Sequence, residues 1–234
     1  MVSNKNRRRS YTNTNLTVAV LPRKMSKDPL KSKIIREQVF HAIAKTMLKR
    51  RTGVMTLDDI AATAGRSKGT IYYYFKSKGE MLYDMTRHVF GLLAEAVSPI
   101  LGDKALQPKE RLEKAVHAHM MVSCQNSDLV RAIWSDLSLR ELRAGLGSAV
   151  TRSRHRYEKQ ITELIEEVMQ TEGWSCPNPK IAMRMIFSII NGISLWYRED
   201  GKLSPEQMSD YAVRCILKGV FEGVSVQGIP KLLY

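Results

Sequence analysis

Residues 56–78, TLDDIAATAGRSKGTIYYYFKSK, constrain the fold of this chain more than any other stretch. They read as two short helices meeting at a tight turn. Thr56 is a candidate N-cap, whose hydroxyl can accept from a free N–H of the first turn. Asp58 and Asp59 then set negative charge at the positive end of the helix dipole. Leu57, Ile60, Ala61 and Ala64 form an apolar stripe at helical spacing. Gly65 ends the first helix, where a left-handed backbone costs glycine little. Ser67 caps the second, and Ile71 and Phe75 give it an inward face. So short a turn leaves the two helices crossed, as in a helix-turn-helix.

The outward side of the second helix carries the chemistry. Lys68, Gly69, Thr70, Tyr72, Tyr73 and Tyr74 crowd into it, with Lys76 and Lys78 following. A helix turns about 100° per residue, so three consecutive tyrosines cannot all face a core. Their hydroxyls suit phosphate oxygens. Gly69 permits close backbone approach to a surface, and Thr70 offers a hydroxyl and a methyl to a base edge. The competing reading is a solvated helix pair with a local aromatic cluster.

At these positions the chain resembles the TetR family of transcription regulators. The match is Thr56, Ile60, Ala61, Gly65, Ser67, Gly69, Thr70, Ile71, Tyr72, Phe75, Ser77 and Lys78, continuing to Leu82, within roughly residues 30–85. Arg66 stands where the family usually has a hydrophobic residue, and Tyr74 where it often has histidine; both departures bear on which bases are read. The resemblance implies that Lys68, Gly69, Thr70, Tyr72, Tyr73, Tyr74 and Lys78 contact DNA. Thr56, Arg66 and Ser67 complete the candidate nucleic-acid face.

Charge agrees with that placement. The net charge of +14 divides as +7 over residues 1–27, +6 over 28–90 and +1 over 91–234. A basic head on a near-neutral body is the electrostatic footprint of a DNA-binding protein. Three widely spaced cysteines (Cys124, Cys176, Cys215) argue against a disulfide framework and fit a reducing cytoplasm. No apolar run is long enough for a transmembrane helix.

The expected architecture is all-α: an N-terminal three-helix helix-turn-helix DNA-binding domain over 28–78, then a larger helical ligand-binding and dimerisation domain over 79–234. Residues 1–27 are expected to be a disordered basic arm. A transit peptide, or a true start at Met25, are the other readings of that stretch. The first helix should run from about Leu30 to Arg51, with Ile35, Val39, Ile43 and Met47 on one face. A long helix from Lys78 should stop at Pro99. Body helices are expected at about 108–125, 128–136, 138–172, 179–199 and 205–222, with proline-containing starts at Asn178-Pro179 and Ser204-Pro205.

No nucleophile triad, carboxylate pair or glycine-rich phosphate loop points to an enzyme, and no cofactor is expected. His117 and His119 lie on different sides of a helix, which disfavours a metal site. The body carries polar handles among apolar residues: Met120, Met121, Trp134, Tyr157, Phe187, Asn191, Trp196 and Tyr197. These fill a core or line a cavity, and methionines suit a flexible ligand. Asn191-Gly192 in mid-helix is expected to mark a close helix approach or a passing ligand, since glycine there costs about 1 kcal/mol. Arg140, Arg143 and Arg152 offer guanidinium groups to phosphates, or else make a salt-bridged surface helix. The segment Trp196-Tyr197-Arg198-x-x-Gly201-x-Leu203-Ser204-Pro205-Glu206 is similar to one common in family members that sense acyl-CoA thioesters.

The resemblance implies a repressor released from a palindromic double-stranded DNA operator by a small apolar effector, with an acyl-CoA as the suggested class. It also implies a homodimer through the last two helices, for which Ile186, Ile189, Ile190, Ile193, Val213, Ile216, Leu217 and Val220 supply apolar surface. The alternative is a constitutive or architectural DNA-binding protein whose body only dimerises.

Overall fold

The structure is a computed structural model describing residues 29–49, 55–135, 148–174 and 178–217. The described residues form nine α-helices and no strand: α1 Pro29–Lys49, α2 Leu57–Ala64, α3 Lys68–Tyr74, α4 Lys78–Gly102, α5 Pro108–Gln125, α6 Ser127–Ser135, α7 Ser148–Glu172, α8 Pro179–Trp196 and α9 Pro205–Ile216. The all-α expectation holds. The basic arm, Arg140, Arg143, Cys176 and Val220 lie outside the described residues.

The helix starts follow from local chemistry. Thr56 and Asp59 make a reciprocal capping box, Ser67 accepts from the Thr70 N–H, and Ser77 from the Glu80 N–H. Asn178 and Ser204 cap α8 and α9, each followed by proline at the first helical position. Gly65 takes φ 60° at the end of α2. That conformation strains any residue with a Cβ.

Two ends differ from expectation. Helix α4 runs through Pro99 to Gly102. The proline deprives the Glu95 carbonyl of a donor, but Glu95 is exposed, so water can serve it. Helix α8 stops at Trp196 rather than 199, because Tyr197 turns to extended backbone and its hydroxyl donates to the Leu203 carbonyl at 3.2 Å.

Burial divides the core into two clusters. The first joins α1 (Ile35, Val39, Phe40, Ile43, Met47) to Ile60, Ile71, Phe75, Met81, Leu82, Met85 and Val89. Leu129, Val130, Ala132 and Ile133 of α6 belong to it too, so this body helix packs into the core of the head. The second cluster gathers α5, α7, α8 and α9 around Leu112, Val116, Met120, Ile161, Ile165, Ile186 and Ile190.

The residues expected to supply dimerisation surface divide, with Ile189, Ile193 and Val213 half-buried. Ile186, Ile190, Ile216 and Leu217 are buried inside the body and leave no surface for a second copy. The surplus apolar face is instead Ile181, Met185, Leu195 and Trp196 of α8, with Tyr211 of α9, all exposed. Gly192 lies between Met185 and Trp196, and a Cβ there would meet nothing within 4 Å. Of the two expectations at Gly192, a close helix approach is therefore not made among the described residues.

Candidate nucleic-acid interface

Helix α3 has an inner and an outer side, set by the spacing of its core residues. Ile71, Tyr74 and Phe75 stand at i, i+3 and i+4, and all three are buried. Lys68, Gly69, Tyr72 and Tyr73 remain exposed, and Thr70 is half-buried. Tyr74 is thus corrected from an outward contact to a core residue. Its ring meets that of Tyr73 edge to face, with centroids 5.1 Å apart. Two consecutive tyrosines are separated by the helical turn between them, one outside and one in.

Two of the basic residues around α3 are already engaged. Arg66 donates to the Gln38 side-chain oxygen at 2.6 Å, and Lys68 pairs with Asp58 at 2.8 Å. The hydrogen bond to Asp58 raises the Lys68 pKa, so its ammonium stays charged. Both are exposed and can exchange these partners for phosphate at small cost. The Thr56 hydroxyl is committed to the cap of α2, where it both donates to and accepts from Asp59. Lys78 is the half-buried first residue of α4.

Arg36, which sequence reasoning passed over, fixes the recognition helix from behind. Its guanidinium donates to Asp84 of α4 at 2.9 Å and to the Tyr74 carbonyl at 3.4 Å, and lies over the Phe75 ring at 5.2 Å. Arg87 holds the other oxygen of Asp84 at 3.1 Å. No local pattern signals this, since Arg36 and Asp84 are 48 positions apart.

In the body, Tyr157 and Phe187 come together, stacked with centroids 5.3 Å apart. His119 completes the group: its Nδ1 is 3.0 Å from the Tyr157 hydroxyl, and its ring meets Phe187 edge-on at 5.5 Å. Burial lowers the His119 pKa to about 4, so the imidazole is neutral at physiological pH. Burial likewise pushes the Tyr157 hydroxyl upward. His117 faces the other way, toward Asp210 at 3.4 Å. Met120 is fully buried beside the group in the same cluster, while Met121 and Asn191 are half-buried.

Trp134, Trp196 and Arg152 do not join this cluster. Trp196 is 61% exposed and Trp134 36% exposed, and Arg152 is exposed on α7. For the two tryptophans this corrects an interior placement. Trp196 is the last residue of α8, so that helix supplies no further turn beyond it.

A cavity of about 410 Å³ opens elsewhere, between head and body. His41 and Lys45 of α1, Ser127, Asp128 and Arg131 of α6, and Arg198, Glu199 and Asp200 line it. None of the described residues assigned to an effector does so. The segment after Trp196 shapes this cavity. Tyr197 is buried, the Gly201 N–H donates to the Arg198 carbonyl at 3.0 Å, and Ser204 caps α9. A Cβ on Gly201 would lie 2.9 Å from that carbonyl, so the tight turn requires glycine. It projects residues 198–200 into the cavity.

No helix among the described residues is long and apolar enough to cross a membrane. Nor does any His/Cys/Asp/Glu group among them have the geometry of a metal site.

Comparison with known proteins places this architecture. Residues 41–85 match the family described as bacterial regulatory proteins, tetR family, and residues 105–220 match the Tetracyclin repressor-like C-terminal domain. The fatty acid metabolism regulator protein of Bacillus subtilis (strain 168) is 24% identical over 188 residues, covering 78% of this chain and 94% of its own. The structure of the ketosteroid transcriptional regulator KstR2 of Mycobacterium tuberculosis superposes with TM-score 0.69 at 23% identity, covering 80% of this chain and 95% of that one. AibR, in a complex with isovaleryl coenzyme A and operator DNA, superposes with TM-score 0.64 at 21% identity, covering 81% and 100%. With a recognition helix presented on a core-locked helix pair and both of the family's domains matched in order, the chain belongs to the TetR family of DNA-binding transcription regulators.

Proposed function

We propose that this protein is a homodimeric repressor whose head, residues 28–78, binds a palindromic operator and is released by a small apolar effector held in the body, residues 79–234. The observation that carries the DNA reading is α3: Lys68, Gly69, Tyr72 and Tyr73 face solvent while Ile71, Tyr74 and Phe75 anchor the same helix. Two such helices, roughly 34–36 Å apart in a dimer, would enter successive major grooves. The exposed stripe of α8 with Tyr211 of α9 is the surface on which a second copy would pair. Such a protein acts in the cytoplasm, where its operator is.

For the effector we favour an acyl-CoA thioester. The paired His119 and Tyr157, beside Phe187, combine an apolar wall with hydrogen-bonding groups that can meet a thioester carbonyl. Arg152, with Arg140 and Arg143 earlier in the chain, supplies guanidinium groups for the phosphates. AibR is described as binding isovaleryl coenzyme A together with operator DNA, which makes the class a natural first choice. The close-packed body cluster, in which Met120 is fully buried, favours the second reading, a constitutive DNA-binding protein whose body only dimerises.

One titration separates them. Complexes with an operator selected from random duplexes are challenged with acyl-CoAs of graded chain length, the free acids and free CoA. Release by thioesters alone supports the effector class, at a coupling of about 5–150-fold. Release by none of them, with the dimer intact, leaves the constitutive reading.

A further inference from the structure

Head and body are joined by more than α4. Helix α1 lies against α6, and amid the apolar contacts of Leu129, Val130 and Ile133 there is one polar bridge. His41 Nδ1 of α1 is 2.8 Å from Asp128 Oδ2 of α6, across 87 positions of sequence. The other Asp128 oxygen accepts from the Leu129 N–H at 2.8 Å, which orients the carboxylate. The bridge borders the 410 Å³ cavity, and its side chains keep 41% and 21% of their exposure. Water therefore reaches it, and it can change protonation without unfolding.

The same helix holds the recognition helix at its other contact. Five residues before His41, Arg36 binds the Tyr74 carbonyl at the end of α3 and Asp84 on α4. Helix α1 thus holds α6 through one side chain and α3 through another.

We propose that His41 and Asp128 are positioning residues that couple the body to the DNA-binding helix, a proton-dependent latch through which α6 sets the attitude of α1 and α3. This rests on the reading of the chain as an effector-responsive DNA-binding protein. The groups around the latch are Glu37 and Lys45 on α1, His88 on α4, Arg131 on α6, and Arg198, Glu199 and Asp200 on the turn after α8. Arg198 is taken up by Asp200 at 3.1 Å. His88 is kept neutral by burial, which lowers its pKa.

For His41 the hydrogen bond to Asp128, opposed by burial, raises the pKa above its ordinary 6.5. For Asp128 burial acts upward, but the bond and charge of His41 outweigh it and the pKa falls below 3.8. A raised histidine contributes fully below pH 6.5 and loses its contribution as pH climbs through the raised value. The latch is closed below pH 6.5 and loosens as pH climbs through the raised His41 pKa.

The test has a DNA-free arm and an operator arm. In the full-length protein, the His41 imidazole is titrated by NMR in the parent and in Asp128→Asn. We expect a midpoint above 6.5 in the parent that falls in the variant. Operator affinity is then measured from pH 6 to 8.5 at constant ionic strength for the parent, Asp128→Asn, His41→Gln and the double variant. Each unit by which the His41 pKa differs between free and bound protein changes affinity by up to about tenfold. Both single variants should remove the same part of the pH profile, and the double variant no more. A parent midpoint at or below 6.5, or operator-binding variants that keep the parent's profile, would overturn the latch. Should the parent bind no operator at any pH, the DNA reading fails, and the His41 titration alone decides whether the pair exists.

Discussion

Tyr73 and Tyr74 are neighbours in the chain with opposite fates, one 52% and the other 8% exposed. Substitution separates them. Tyr74→Ala should destabilise the head by about 3 kcal/mol through loss of buried aromatic volume, read by chemical denaturation. Tyr73→Ala should leave stability nearly unchanged and weaken operator binding by about 1 kcal/mol, read by fluorescence anisotropy. The sign of each was legible from spacing, since Tyr74 lies three residues after Ile71, but three identical residues in a row disguise it. His119 makes a second residue-scale prediction. Its pKa drops from 6.5 to about 4 on burial, so the folded state binds fewer protons than the unfolded chain across that interval. Stability should be full above pH 6.5 and decline toward pH 4, by about 3 kcal/mol. His119→Gln should flatten that part of the stability–pH curve; an unchanged slope would mean that His119 is not held neutral.

At the scale of elements, the caps decide where helices begin, and the turns decide how they are aimed. The Ser67 hydroxyl accepts from the Thr70 N–H at 3.1 Å and lies 2.9 Å from the Thr70 hydroxyl. Ser67→Ala should cost about 1 kcal/mol and weaken operator binding, because the first turn of α3 frays where it would meet the bases. Gly65→Ala must hold a side chain at φ 60°, at a cost of about 1–2 kcal/mol. Thermal unfolding of these two variants checks both values. Such features are readable in advance because a cap or turn is settled within three or four residues. The ends of α4 and α8 were misjudged for the complementary reason: solvent at Glu95 and a hydrogen bond to Leu203 outweighed the local preference.

At the scale of the whole molecule, the exposed apolar stripe of α8 departs from an ordinary helix surface. Ile181, Met185, Leu195 and Trp196 leave it uncovered on a helix whose other side is already core. Met185→Glu combined with Trp196→Glu should convert a dimer to monomers without unfolding the body, seen by sedimentation at micromolar concentration. The same variant should bind a full palindrome no more tightly than a half-site. A variant that stays dimeric would move the interface elsewhere.

The chain by itself determined the all-α class, the helix-turn-helix, the capping residues and the concentration of charge in the head. Each of these depends on residue type and on neighbours within a turn or two, where propensity, capping and periodicity act. Tertiary structure alone decided which isoleucines of α8 are core, because that helix is apolar on two sides and periodicity cannot choose between them. It also decided the pairs Arg36–Asp84, His41–Asp128 and His119–Tyr157, separated by 48, 87 and 38 positions. A polar side chain buried by packing must find a partner wherever the fold brings one, and no local pattern encodes that partner's address.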